Sequence, residues 1–287
     1  MNLRQTKQLL QSRHLAPHKR LGQNFLVDAH TPARIVALAD LQPTDRVLEV
    51  GVGLGALTRP LAAAAAEVIG IEADSGIIRL HKEVQDLPEN VRLVHADILK
   101  VDLAALCRDN ERLKIVANLP YSISTPFLFR LIEQRQAVHS AVIMLQKELA
   151  LRLCAQPGNK EYGAPTVLLA ACADVEILLE VGPEKFHPRP QVDSLVLRLN
   201  FFPEPERLKV LADFDRALFS RIVRTAFSQR RKTLSNALLP LGLDKETLAE
   251  QLGKAGISPG ARAETLSLAD YVRLTQVLMA TGTPPAP

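Results

Sequence analysis

From Asp45 to Asn200, short apolar runs alternate with stretches whose apolar residues recur every three to four positions. The first pattern predicts strands and the second predicts helices. Seven runs read as strands: Arg46–Val50, Val68–Glu72, Val91–His95, Lys114–Ala117, Ala141–Leu145, Val175–Val181 and Leu195–Leu199. Most of the first five are almost continuously apolar, as strands of a parallel sheet covered on both faces must be. Gly182–Pro190, between the last two, is rich in Pro and Gly and too short for a crossover helix. That predicts an antiparallel pair at one side of the sheet. The expected core is α/β and doubly wound, with seven strands and the last one reversed.

The alternation stops at Phe201–Glu206, where two prolines mark a linker. Residues 207–279 show helical periodicity alone and predict a smaller all-helical domain after a larger one over residues 1–200. Residues 280–287 read as a Pro-rich flexible tail. No apolar run reaches the roughly 18 residues of a membrane span. Apolar residues make up 47% and charged residues 23% of the 287, the balance of a soluble globular protein. Cys107, Cys154 and Cys172 form no CxxC pair, so neither a disulfide framework nor a thiolate metal site is expected. Free thiols without a signal peptide point to the cytoplasm, with no membrane partner.

Charge changes the picture more than composition does. The net +4 is concentrated in two acid-free segments. Residues 1–20 carry Arg4, Lys7, Arg13, Lys19 and Arg20; residues 216–232 carry Arg216, Arg221, Arg224, Arg230, Arg231 and Lys232. The remainder of the chain is therefore net acidic, and the two segments predict a localised face for a polyanion. Over 216–232 a helix would gather Phe219, Ile222, Val223 and Ala226 on one side, with Phe227 at its margin. Arg221, Arg224 and Arg231 would fall on the other side, as phosphate contacts or as a solvated basic face. The N-terminal segment has one serine and runs directly into a motif, which argues against a transit peptide.

Candidate chemistry gathers at strand ends. Glu49-Val-Gly51-Val-Gly53-Leu-Gly55 closes the first strand with glycines that permit a tight turn and close approach of a ligand. Glu72 ends the second strand, where a carboxylate suits ribose hydroxyls. Asp97 follows the third, suited to an adenine amine with Ile98 over the ring, or simply to capping a helix. These elements fit a nicotinamide or an S-adenosylmethionine enzyme equally. The fourth strand discriminates. It ends Asn118-Leu119-Pro120-Tyr121: an amide, a carbonyl directed by the following proline, and a flat ring. That set can accept both N–H groups of an exocyclic amine and stack on its base.

Asn118–Tyr121 followed by Ser122-Ile-Ser-Thr-Pro126 resembles the signature of the rRNA adenine N6,N6-dimethyltransferase family. Further matches are His18–Leu26, Gln146–Glu148, Pro157-Gly158, Tyr162-Gly163, Phe186–Ser194, Gln229–Leu234 and Arg262–Leu266, so the resemblance covers about residues 18–279. Val52 stands where many members have proline, and Ser122 where many have asparagine. The resemblance implies a Rossmann-like class I methyltransferase sheet with S-adenosyl-L-methionine as cofactor. It implies cofactor contacts from Asn24, Leu26, Gly51, Gly53, Glu72, Asp97 and Asn118. Asn118, Leu119, Pro120 and Tyr121 would grip the target adenine, with Phe186 as a second aromatic completing a sandwich or else as a loop anchor in the core.

The implied substrate is a pair of adjacent adenosines in the 3′-terminal hairpin loop of small-subunit rRNA, on a pre-30S particle. Arg221, Arg224 and Arg231 would contact RNA phosphates, and the enzyme is expected to act as a monomer without a metal. Three readings stay open beside this one: a resistance-type methyltransferase of large-subunit rRNA, a DNA adenine methyltransferase, and an RNA-binding assembly factor with vestigial activity.

Overall fold

A computed structural model describes residues 2–13, 15, 17, 22–108, 111–202 and 213–281. The linker residues 203–206, the motif residues His18–Leu21 and the tail from 282 onward lie outside them.

Seven strands build one sheet: β2 (Arg46–Val50), β3 (Glu67–Glu72), β4 (Val91–His95), β5 (Leu113–Asn118), β6 (Val138–Gln146), β7 (Ala173–Val181) and β9 (Ser194–Phe201). Their order is β4-β3-β2-β5-β6-β9-β7. Neighbours from β4 to β6 are parallel, and β9 runs antiparallel to β6 with Ser194 opposite Gln146 and Asn200 opposite Ser140. All seven sequence-predicted strands are therefore present, and the α/β doubly wound sheet with a reversed last strand is the observed fold. Two short strands, β1 (Phe25–Leu26) and β8 (Phe186–His187), form a separate antiparallel ladder that hydrophobic periodicity does not reveal.

Burial follows the apolar runs except in the two edge strands, β4 and β7, the second of which leaves Ile177 exposed. β2 is buried throughout, and β3, β5 and β6 nearly so. β4 is not covered on both faces: Arg92 and His95 are exposed. Its place at the edge of the sheet explains this, since an edge strand has a neighbour on one side only. The core joins Ile35, Leu61 and Val68 to Val47, Val116, Val142 and Val196. Chain order reverses between β2 and β5, and that switch point opens a crevice at the carboxyl ends of both strands.

Eleven helices are described: α1 (Leu3–Ser12), α2 (His30–Ala37), α3 (Thr58–Ala64), α4 (Ser75–Val84), α5 (Ser124–Glu133), α6 (Lys147–Leu153), α7 (Ala164–Ala170), α8 (Arg216–Ser228), α9 (Leu234–Ala237), α10 (Lys245–Lys254) and α11 (Leu268–Ala280). Among the described residues, no helix is long and apolar enough to cross a membrane.

The chain divides into two compact units, residues 1–150 with 174–202, and residues 151–173 with 203–287. The second unit therefore takes a segment that the expected boundary at residue 200 leaves in the first. Packing and hydrogen bonding account for the difference. Val167, Leu168 and Leu169 of α7 are buried, and α7 packs on α8. Arg216 donates to the Ala171 carbonyl (3.2 Å), Arg230 to the Lys160 and Tyr162 carbonyls (2.7 and 2.6 Å), and the Gly158 N–H to the Glu264 carbonyl (2.7 Å). Phe227 bridges Tyr162 and Tyr271, each with its ring centroid 6.1 Å away.

α8 buries Leu218, Phe219, Ile222, Val223 and Ala226, the face its periodicity predicts. It ends at Ser228, so Arg231 sits beyond the helix rather than on it. Asp215 caps its start, accepting from the Ala217 and Leu218 N–H groups (2.7 and 2.9 Å).

Candidate active site

The crevice is a cavity of about 290 Å³ in the first unit. Four strand ends and one incoming segment shape it. After β2, Gly51, Gly53 and Gly55 all take positive φ (78°, 52° and 77°), a backbone that side chains rarely adopt. His81 of α4 holds this turn from beneath: its Nε2 lies 2.8 Å from the Gly53 carbonyl and its Nδ1 2.8 Å from Asp86. Arg59 donates to the Leu54 and Gly55 carbonyls and pairs with Asp86.

At the end of β3 the buried Glu72 carboxylate accepts the Gly53 N–H at 3.0 Å and the Asp74 N–H at 2.8 Å, one on each oxygen. Two backbone donors thus fix its plane, and a carboxylate oxygen can accept more than one bond. Asp97, after β4, caps a short turn by accepting the Leu99 N–H (3.0 Å) through Oδ1. Capping and cavity lining coincide in this residue, with Ile98 buried beside it.

Glu49 lies on the floor. It is 1% exposed, and neither carboxylate oxygen has a hydrogen-bond partner among the described residues. Burial pushes its pKa up to about 8; the nearby Thr58 hydroxyl opposes that, Glu72 adds to it, and Arg59 opposes it. The sequence motif includes this carboxyl without giving it a role, although an acid inside an otherwise apolar strand is the visible signal.

Opposite the glycine turn, β5 delivers Asn118, Leu119, Pro120 and Tyr121. The Asn118 amide nitrogen donates to the Asn24 carbonyl (3.2 Å). Its oxygen is thereby left as the acceptor of the pair. The Pro120 carbonyl is taken by the Ile123 N–H (3.1 Å) and the Ser124 hydroxyl (3.2 Å), which closes the turn into α5. Tyr121 is half-buried; its hydroxyl lies 3.1 Å from the Ser194 hydroxyl. Burial pushes the phenol up, and the Ser194 bond pulls it partly back.

The segment Gly22–Leu26 forms the remaining wall. Gln23 donates to Asp74 (2.9 Å), and β1 ties the segment to β8. Asn24, Leu26, Gly51, Gly53, Glu72, Asp97, Asn118, Leu119, Pro120 and Tyr121 therefore all line one cavity.

A family model described as ribosomal RNA adenine dimethylase matches residues 15–280. The chain belongs to that family. Ribosomal RNA small subunit methyltransferase A of Desulfotalea psychrophila is 48% identical over 285 residues, covering 95% of each chain. The protein of that name from Geobacter metallireducens is 47% identical over 270 residues, covering 92% of this chain and 96% of its own. A crystal structure of a dimethyladenosine transferase from Plasmodium falciparum superposes with a TM-score of 0.72 at 26% identity, over 90% of this chain and 98% of that one. The 23S rRNA methyltransferase ErmE gives 0.62 at 27%, over 89% and 99%. The chain is an rRNA adenine dimethyltransferase with the methyltransferase sheet.

One expected site residue of this dimethylase stands elsewhere. Phe186 is 4% exposed, belongs to the core cluster with Leu26 and Val196, and does not line the cavity. Pairing of β8 with β1 joins it to the wall that carries Asn24, where its ring packs in the core. In the helical unit of the dimethylase, Arg224 and Arg231 are exposed and Arg221 partly so. Arg230, in the same basic segment, is committed to backbone carbonyls.

Proposed function

We propose that this dimethylase uses S-adenosylmethionine to convert two adjacent adenosines in the 3′-terminal hairpin loop of small-subunit rRNA to N6,N6-dimethyladenosine. The reading places it in the cytoplasm, acting as a monomer on a pre-30S particle. The observation that carries it is the Asn118 amide, whose nitrogen is engaged by the Asn24 carbonyl so that its oxygen is left as an acceptor in the cavity.

The residues of the cavity fit the cofactor. Burial favours the protonated form of Glu49, and a cationic ligand such as S-adenosylmethionine would supply the counter-charge for its ionised form. Glu72 would hold the ribose through the lone pairs that the Gly53 and Asp74 N–H groups leave, and Asp97 the adenine through Oδ2. Gly51 and Gly53 bring bare backbone against the wall, where Asn24 and Leu26 close it. When bound, the cofactor supplies an electrophilic methyl group.

The protein's own task is to prepare the nucleophile. The lone pair of adenine N6 is delocalised into the ring. Hydrogen bonds from its two N–H groups to Asn118 Oδ1 and the Leu119 carbonyl favour a pyramidal nitrogen with the pair localised. Tyr121 stacks on the base, which must leave a loop rather than a duplex interior to reach it. No strong base is required, because the nitrogen becomes acidic as it acquires a fourth substituent, and water carries the proton away.

The test is transfer from labelled cofactor to unmethylated small subunits, with mature small subunits, large subunits and duplex DNA alongside, followed by nucleoside analysis. Dimethyladenosine on unmethylated small subunits alone is the expected result. Label in large-subunit RNA would overturn the substrate while leaving the chemistry. Cofactor binding with no label anywhere would favour an assembly factor.

A further inference from the structure

We propose that Ser194 is a positioning residue for the second methyl transfer: its hydroxyl pins the outer end of the Tyr121 ring where the base stacks and so sets the ratio of dimethylated to monomethylated product. The inference rests on the reading of the site given above.

Its first support is topological. In the parallel part of the sheet, residues at the carboxyl edge are the last of their strands. β9 runs the other way, so its first residue, Ser194, arrives at that edge opposite Gln146, the last residue of β6. Reversal of this strand thus supplies the active-site edge with a side chain from a strand start. The backbone there is firmly held, because the Lys147 N–H donates to the Asp193 carbonyl at 2.9 Å.

The second support is the state of the two hydroxyls. Ser194 is 0% exposed, so its hydroxyl needs a protein partner. Among the described residues, the 3.1 Å bond to Tyr121 is the one hydrogen bond either side chain makes. Tyr121 lies in a turn whose backbone is closed by the Pro120 carbonyl, which leaves the swing of its side chain about the Cα–Cβ bond to be fixed. The bond to Ser194 pins the hydroxyl end of the ring and restrains that swing.

The third support is chemical. An unmodified adenine offers two N–H groups to two acceptors, Asn118 Oδ1 and the Leu119 carbonyl. After one methyl group has been added, a single N–H remains, and one acceptor loses its hold. Orientation then depends more on stacking, so a loosened Tyr121 slows the second transfer more than the first.

Ser194→Ala and Tyr121→Phe each remove the bond while keeping the ring. Each is expected to lower the dimethyl-to-monomethyl ratio about fivefold, the factor that one hydrogen bond represents. The double variant should show no further loss, because both changes remove the same interaction. Cofactor affinity, measured by calorimetry, and melting temperature should stay near those of the unmodified protein. An unchanged product ratio in both single variants would overturn the proposal. So would additive losses, or equal slowing of both transfers together with weaker cofactor binding, which would mark Ser194 as purely structural. If Ser194→Ala does not fold, the ratio in Tyr121→Phe decides alone. Unmodified protein that forms no dimethyladenosine would overturn the underlying reading, and this proposal with it, a result distinct from a competent enzyme with indifferent variants.

Discussion

Asn118 and Glu49 show how differently two side chains on one cavity can act. Asn118 is oriented by a single bond to a backbone carbonyl, so its contribution lies in direction rather than stability. Asn118→Ala is expected to lower single-turnover methyl transfer by roughly 10²–10³-fold, the scale seen when one preorganised hydrogen-bonding group at a reacting centre is removed. Cofactor affinity should fall by less than about tenfold; near-normal turnover would remove Asn118 from the chemistry. Glu49 acts through its proton. With a folded pKa of about 8 against 4.5 when unfolded, the native state binds the extra proton between those values. The contribution of Glu49 to the stability of the ligand-free protein therefore falls as pH rises from about 4.5 to 8, and levels off above. Glu49→Gln should abolish that slope and leave the variant more stable at pH 8.5 by roughly 2–4 kcal/mol. Urea denaturation at pH 5 and pH 8.5 checks this, and parallel curves for the two proteins would refute it.

Elements differ in how plainly the chain announces them. The strands from β2 to β5 are the most legible, because largely apolar runs closed by Gly, Asn or an acid carry both a structure and a site: Glu72, Asp97 and Asn118 can be placed at strand ends from the chain alone. β1 and β8 are not legible, since two residues cannot display an alternation, and their pairing joins positions about 160 apart. That omission leaves Phe186 readable as a stacking ring, with the core anchor as the alternative. Its burial makes the outcome specific. Phe186→Ala should cost about 3–5 kcal/mol of stability by chemical denaturation, as deletion of a buried ring does. A variant that kept full stability but lost activity would return the ring to the substrate.

For the molecule as a whole, charge segregation is legible in the sequence, whereas the use of each cation is not. Arg216 and Arg230 serve the fold by donating to carbonyls, and Arg231 lies beyond the helix that carries Arg221 and Arg224. Replacing Arg221, Arg224 and Arg231 with glutamine should weaken RNA binding and reduce the slope of log K against log salt by about 2, near 0.7 for each phosphate that a single strand no longer has neutralised. An unaltered slope would make this face merely solvated. The division into units escapes the sequence for a similar reason: the apolar face of α7 shows that it packs, without naming its partner. That partner comes late. A ribosome making this chain releases Val167, Leu168 and Leu169 before it has made α8, and the last strands of the sheet emerge in between. The helical unit is thus begun, set aside while the sheet is completed, and finished only afterwards. Until then a greasy helix stands uncovered on the nascent chain, where early termination would leave it permanently.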